Sequence, residues 1–329
     1  MTAFRRDLAI GVVLVAIAAA VPFLFPVRYV ITQVTLLFIY AIVVTQWNLV
    51  LGVAGIFSLA QMALFACGAY ATAMLGLYLD WSLWAAMPAG AVIAVVAGLL
   101  VGLACLRLKG PYVALLTLAL AQVAYLVIIT DTDCFIRTET RCEPFTGGAS
   151  GLRRFGDLGL REWLGRDWII GNYFVGLGLL VAAMAFSVAV ARGPLGLAFR
   201  ALRDNLGYAR SRGISQFKYQ LVVFALSAFF TGLAGAFYAA HFKSVGPTIF
   251  SFSLLLLLLA MIVVGGLGTI WGPIVGATLI MFADEGLREF QDFRTLGLGL
   301  TLALFVLLLP DGLTGTASRL LARWRGSGS

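Results

Sequence analysis

The sequence predicts an all-α integral membrane protein of about ten transmembrane helices, a single membrane domain over residues 1–329. Three observations carry this reading. Hydrophobic residues make up 61% of the chain and charged residues 12%, against about 45–50% and about 25% in an ordinary globular domain. Mean hydropathy is +1.00. The apolar residues gather in runs of about 20, the length that crosses a hydrocarbon core of about 30 Å. So few charges cannot screen so many apolar side chains from water. The composition therefore argues against a disordered chain, a secreted disulfide scaffold and a cytosolic enzyme.

In chain order, spans are expected at 8–26, 29–50, 58–79, 84–106, 111–130, 169–191, 217–240, 248–266, 270–287 and 294–310. The first follows Arg5 and Arg6, and Ala18-Ala19-Ala20 resembles a signal-peptide cleavage site. With so many spans following, an uncleaved first helix is the expectation. Gly52-Val53-Ala54-Gly55 separates the second and third spans and allows irregular backbone beside a cavity. From Phe250 to Ala283 a single helix would be about 50 Å long, too long for one crossing. Gly265-Gly266-Leu267-Gly268 and Pro273 offer the break, so this stretch is read as two spans joined by a tight turn. Small residues four apart, Gly98 and Gly102, then Gly268, Gly272 and Gly276, let helix backbones approach closely.

Charge tests this layout. With the N-terminus inside, the cytoplasmic segments 1–7, 107–110, 192–218 and 311–329 hold thirteen of the 23 basic residues, and Asp7, Asp204 and Asp311 are their acids. Merging the eighth and ninth spans would move Arg319, Arg323 and Arg325 outside and Asp284, Glu285, Glu289 and Asp292 inside, against the positive-inside rule. Both termini are therefore expected in the cytoplasm. The outer 131–168 loop runs the other way, with six Arg. The net charge of +8 reports this asymmetry rather than nucleic-acid binding.

Little in the chain can do chemistry. Lys109, Lys218 and Lys243 are its lysines and none follows a glycine, so there is no P-loop. There is no H-E-x-x-H and no G-x-S-x-G, and His241 is the single imidazole. No acid or base lies mid-span, which argues against proton or sodium coupling and against an intramembrane hydrolase. Neutral amides remain: Gln33, Gln46, Asn48, Gln61, Gln122 and Asn172. Each, taken singly, reads as a helix–helix tie. As a set, Gln46, Asn48, Gln61 and Gln122 read as the lining of a weakly binding pathway.

Cys67 and Cys105 lie in apolar runs and read as packing residues, whereas Cys134 and Cys142 share the longest polar segment. A Cys134–Cys142 bond is the expectation if that segment faces an oxidising compartment. No metal spacing is present. Segment 192–218 carries Pro194 where a helix starts and Gly213 where one ends. Phe199, Leu202, Leu206 and Ala209 share one helical face, and Arg200, Arg203 and Arg210 the neighbouring one. Two readings stay open on composition: a helix held by lipid phosphates, or one docking into a partner protein.

Gly110-Pro111-Tyr112-Val113-Ala114-Leu115-Leu116-Thr117-Leu118-Ala119, Thr146-Gly147-Gly148-Ala149-Ser150-Gly151-Leu152 and Gly193-Pro194-Leu195-Gly196-Leu197-Ala198-Phe199-Arg200-Ala201-Leu202-Arg203-Asp204-Asn205 form an ordered series. Gly213-Ile214, Ser227-Ala228, Gly232-Leu233-Ala234-Gly235-Ala236-Phe237-Tyr238 and Gly265-Gly266-Leu267-Gly268-Thr269-Ile270-Trp271-Gly272-Pro273 continue it. The series resembles the branched-chain amino acid (Liv-type) ABC importer permeases, and their M-type subunit most. The resemblance implies a bacterial inner-membrane permease that is not itself an enzyme. It implies a second homologous permease, two cytoplasmic P-loop ATPases that bind the ATP and magnesium, and a periplasmic binding protein docking on loop 131–168. It makes 194–213 the coupling helix, with Phe199, Arg200, Leu202, Arg203, Asp204, Leu206, Arg210 and Gly213 as its ATPase-coupling residues. The sequence departs from the family at Leu206 and Arg210, where acids are usual, and in the insertion 131–145. The expected cargo is a branched-chain or other hydrophobic amino acid. Urea, short amides or aromatic acids within the same importer class stay open, as do an ion-coupled carrier and a non-transporting membrane scaffold.

Overall fold

The structure, a computed structural model, describes residues 2–106, 108, 110–138, 141–160, 165–287, 297, 299–300, 303 and 312–316. Eleven helices are described in chain order: α1 (Thr2–Leu24), α2 (Arg28–Asn48), α3 (Gln61–Tyr78), α4 (Leu83–Cys105), α5 (Pro111–Ile129), α6 (Trp168–Arg192), α7 (Pro194–Asp204), α8 (Leu206–Ser211), α9 (Gln216–Phe242), α10 (Phe252–Gly265) and α11 (Gly272–Gly286). Two small antiparallel ribbons accompany them, β1 (Cys134–Thr138) with β2 (Arg141–Pro144), and β3 (Leu152–Arg153) with β4 (Ser244–Val245). The expected tenth span, 294–310, lies almost wholly outside the described residues, as do Glu289, Asp292, Arg319, Arg323 and Arg325.

Among the described residues six helices are long and apolar enough to cross a membrane: Arg28–Val53, Gln61–Tyr78, Leu83–Cys105, Pro111–Ile129, Trp168–Arg192 and Gln216–Phe242. They run alternately between two ends of the bundle. One end, called here the basic end, carries α7 and α8; the other, the ribbon end, carries the four strands. The expected spans 248–266 and 270–287 take a different form. Helices α10 and α11 have 14 and 15 residues, about 21–23 Å each, and are therefore shorter than the hydrocarbon core. They form a hairpin that enters from the ribbon end and turns back at 266–271. The break falls at the glycines, with Gly268 at a φ of +73°.

Close backbone approach builds the core. Helix α9 packs into α3 and α4 at positions with no side chain. A Cβ on Gly68 would collide with the Gly232 backbone, one on Gly232 with Ala94, and one on Gly235 with the Phe65 carbonyl. Gly98 and Gly102 of α4 face Ala228 and Phe224 of α9. In lipid, such fitting supplies association that water would otherwise drive. A second seam joins α2 to α6, where Phe38 and Tyr173 meet edge-on with ring centroids 5.0 Å apart. Side chains on α4 and α5 that face away from these seams, such as Val96, Leu100, Leu115 and Val123, are exposed apolar groups. That pattern is normal for a lipid-facing surface.

The ribbon end is tied down. β3 pairs with β4 directly after α9. Lys243 bonds Asp157 at 2.8 Å and lies 5.0 Å from the Trp168 ring. The indole of Trp84 donates to the Leu158 carbonyl at 2.9 Å, and Leu152, Phe155 and Leu158 are buried. Residues 152–158 are therefore a packed cap. Packing at Gly232 should not tolerate enlargement. Gly232→Leu is expected to cost about 1–3 kcal/mol and to lower the thermal unfolding midpoint of the detergent-purified protein. An unchanged midpoint would show that α9 does not need this approach.

Candidate functional site

Helix α2 does not end cleanly. After Asn48 the backbone widens into a π-helical turn, Leu49–Val53, closed by Ala54 N–H to the Leu49 carbonyl at 2.9 Å and Ile56 N–H to the Val50 carbonyl at 2.9 Å. Residues 54–60 then run without regular structure before α3 begins. Unpaired backbone is costly away from water, and side chains meet it here. The Trp47 indole donates to the Ser58 carbonyl at 2.7 Å, and the Leu59 N–H donates to Thr117 Oγ1 at 2.9 Å.

The amides expected to line a pathway lie around this region and are mostly engaged. Asn48 Nδ2 donates to the Thr269 carbonyl at 2.9 Å, and its Oδ1 accepts from the Gly268 N–H at 2.8 Å. One side chain thus clamps an N–H and a carbonyl of the α10–α11 turn. Gln61 Nε2 donates to Ser227 Oγ at 3.0 Å and to Thr231 Oγ1, joining α3 to α9. Gln46 Nε2 donates to Ser187 Oγ at 2.9 Å and more weakly to the Ala183 carbonyl, joining α2 to α6. Its Oε1 is buried and accepts no bond among the described residues. Gln122 is half-buried on α5. These four side chains are not brought together.

A cavity of about 500 Å³ opens elsewhere, at the ribbon end between α2, α9 and the α10–α11 hairpin. Its polar lining includes Gln33, Tyr40, Tyr238, Ser251, Asp284 and Glu285. Tyr29 beside it donates to Glu285 and accepts from Gln33 Nε2 at 2.9 Å. Asp284 and Glu285 lie far from Gln33 in the sequence. No periodicity joins residues some 250 positions apart.

At the basic end the segment expected as one helix, 194–213, is two. Asn205 takes an extended backbone, φ −152° and ψ 99°, and its side chain caps α8 through the Tyr208 N–H. Asparagine competes for backbone bonds and so favours such a cap over a helix interior. Of the expected coupling residues, Phe199 is 1% exposed and meets Tyr219 edge-on at 6.1 Å. Arg200 donates to the Ala191 carbonyl at 2.6 Å, near the end of α6. Arg203 donates to the Gly52 carbonyl at 2.7 Å and to Asp204 at 3.0 Å. Leu202 and Leu206 are half-buried, Arg210 binds Gln216, and Gly213 turns the chain at a φ of +80°. The large apolar groups left in solvent are Leu197 and Tyr208, which the face assignment had not selected.

Cys134 is disulfide-bonded, Cys67 and Cys105 are free, and the Cys142 side chain lies outside the described residues. Among the described residues no group of acids, histidine and cysteines could hold a metal ion.

Comparison with known proteins adds to this geometry. The family described as branched-chain amino acid transport system / permease component matches residues 29–309. The high-affinity branched-chain amino acid transport system permease protein LivM of Escherichia coli K12 is 30% identical over 261 residues, 73% of this chain and 59% of the relative. LivM of Salmonella typhimurium LT2 matches to the same extent. The ribose import permease protein RbsC of Haemophilus influenzae is 27% identical over 207 residues, 60% of this chain and 61% of the relative. The chain thus spans about three fifths of the length of these relatives. No solved structure matches. Six helices long enough to cross a membrane and a family match over most of the chain lead to one conclusion: the chain is a multi-pass membrane protein that belongs to the branched-chain amino acid transport system permease family.

Proposed function

We propose that this chain is a membrane-spanning subunit of an ATP-driven importer for branched-chain or related hydrophobic amino acids. The observation that carries the reading is the seating of α7. Phe199, Arg200 and Arg203 fasten it to the bundle. Leu197, Asp204, Tyr208 and Arg212 are left exposed on α7 and the segment that follows. A surface that mixes apolar and charged groups over a rigid seat suits a protein groove.

In this reading the basic end faces the bacterial cytoplasm, with both termini, and the ribbon end faces the periplasm. Two P-loop ATPases bind the ATP and magnesium, and a groove of one receives residues 194–213, with Leu202, Leu206, Arg210 and Gly213 shaping the contact. A second homologous permease completes the membrane part, and a periplasmic binding protein docks on 131–168. The two LivM relatives are named for branched-chain amino acid transport, which supports the cargo class. Gln46 pairs α2 with α6 through its Nε2 but keeps a buried Oε1 unengaged, and Gln122 lies half-buried on α5; these two are the pathway residues with amide groups left for cargo. Asn48 and Gln61 join the path only in a state where their present bonds part. The disulfide joins Cys134 to Cys142, a pairing supported by the bonded state of Cys134 and the free state of the other two cysteines.

Gentle purification of the tagged chain from its native membrane should recover a second permease and two ATPases. Tyr208→Asp and Leu197→Asp should each weaken ATPase recovery about tenfold or more, as expected for anchors in a buried contact, with the chain's amount in the membrane unchanged. Labelled leucine should enter vesicles holding the full complex only with ATP and continue when an uncoupler is added at constant ATP. Uptake that collapses with the uncoupler would replace this reading with ion coupling, and transport of labelled ribose instead of leucine would overturn the cargo class. A mass-spectrometric map of the non-reduced protein should contain a Cys134–Cys142 cross-linked peptide; two free thiols would remove that bond.

A further inference from the structure

Helix α7 meets the bundle at three points, and one of them leaves its neighbourhood. Phe199 and Arg200 bind α9 and α6, the helices that flank the α7–α8 segment in sequence. Arg203 instead reaches the Gly52 carbonyl, 151 residues away, at the end of the π-turn. The last carbonyls of a helix lack partners within it, so this one has a lone pair to offer. The arginine stem lies against Gly55, where a Cβ would collide with Arg203 Cγ.

Gly52 also faces the hairpin. A Cβ there would collide with the Gly268 backbone and with Asn48 Oδ1. Asn48 clamps the same turn through Gly268 N–H and the Thr269 carbonyl. The hairpin itself is stiff: α10 and α11 touch backbone to backbone at Gly265, Gly272 and Gly276. Thr314 Oγ1 bonds the Gly265 carbonyl at 2.6 Å and Thr269 Oγ1 at 2.9 Å. At its other end, one helix length or about 21 Å away, the hairpin supplies Ser251, Ser253, Leu254, Leu257, Asp284 and Glu285 to the 500 Å³ cavity.

We infer that Arg203 and Asn48 are positioning residues that bolt α7 to the α10–α11 turn, so that the short hairpin, rather than the long spans, carries movement from the basic end to the cavity at the ribbon end. The long spans are poorly suited to this task. α3, α4 and α9 are locked together by glycine contacts along their length, and a packed seam of that kind has few alternative arrangements. The hairpin is buried against α2 by side chains such as Met261, Ile262 and Ile280, and among the described residues its glycine contact with a long span is confined to Gly52 on Gly268, at the turn that the polar bonds hold. The inference rests on the reading of α7 as the ATPase seat only for what moves it, not for the bolt itself.

The bolt is tested first without partners. Hydrogen exchange is measured on the full chain in lipid nanodiscs, for Arg203→Met, which keeps the stem and removes the donors, and for Asn48→Leu, which keeps the shape. Peptides covering 266–271 should exchange about tenfold faster or more in each variant, as loss of a local tie predicts, while those covering 232–236 stay unchanged. Unchanged exchange at 266–271 in both variants would overturn the bolt. A rise everywhere in Asn48→Leu would be loss of fold, and Arg203→Met, altered at an exposed side chain, then decides. The movement is tested in the assembled complex with Ser253→Cys as reporter. Its labelling by a membrane-impermeant maleimide should change with ATP in the parent and not in Arg203→Met, the two compared at matched amounts of assembled complex. A change that persists in Arg203→Met would overturn the hairpin's role. Failure of any ATPase to bind the parent would overturn the proposed function and leave the exchange result standing.

Discussion

In hydrocarbon, every backbone N–H and C=O needs a partner within the protein. This fold depends on how that demand is met where α2 breaks off. Leu49–Val53 widens and 54–60 runs irregularly. A break of this kind would be intolerable against lipid. Here Trp47 of α2, Thr117 of α5 and Arg203 of α7 bring side-chain donors and an acceptor to it, and Asn48 ties its start to the α10–α11 turn. These are the same contacts that fix where α3 starts, where the α10–α11 turn rests and how α7 is seated. The break is therefore a junction, and the helices are arranged around it.

The second organising constraint is steric. Water supplies no force between two helices already in lipid, so backbone proximity has to do it. Gly68, Gly232 and Gly235 let α3 and α9 close on each other, while Leu and Val cover the outer faces. The amide side chains divide along the same line. Gln61 and Gln46 sit inside seams and bond across them, whereas Gln122 lies on the loosely packed α5. A polar residue in a span thus acquires its role from the seam it falls in rather than from its own chemistry.

That is also why the sequence was only partly readable. Span positions follow from local hydropathy, and the six long helices fall close to their expected places. The break between 265 and 273 was legible because glycine and proline act on their own backbone. The shortness of α10 and α11 was not, since an apolar run does not state how much of it is helical. The helix break at Asn205 left a trace, an asparagine inside an amphipathic run, that the face pattern of Phe199, Leu202, Leu206 and Ala209 concealed. The distant partners of Asn48 and Arg203 are backbone groups of Gly268, Thr269 and Gly52. Backbone groups are the same in every residue, so no side-chain pattern could mark them.

The ribbon end has a consequence for how such a chain can vary. Strands β1 and β2 leave and re-enter the cap at neighbouring points, with Cys134 opposite Pro144. The cap beneath them is closed separately, by Leu152 paired to Val245 and by the Lys243–Asp157 bridge. A hairpin inserted between two adjacent points adds residues without separating the ends it joins, and lengthening it costs only a slowly growing loop entropy. Residues 134–144 can thus be extended, shortened or exchanged over generations while the helices and their junctions stay in place. The surface at this end can change while the helices within the membrane stay as they are.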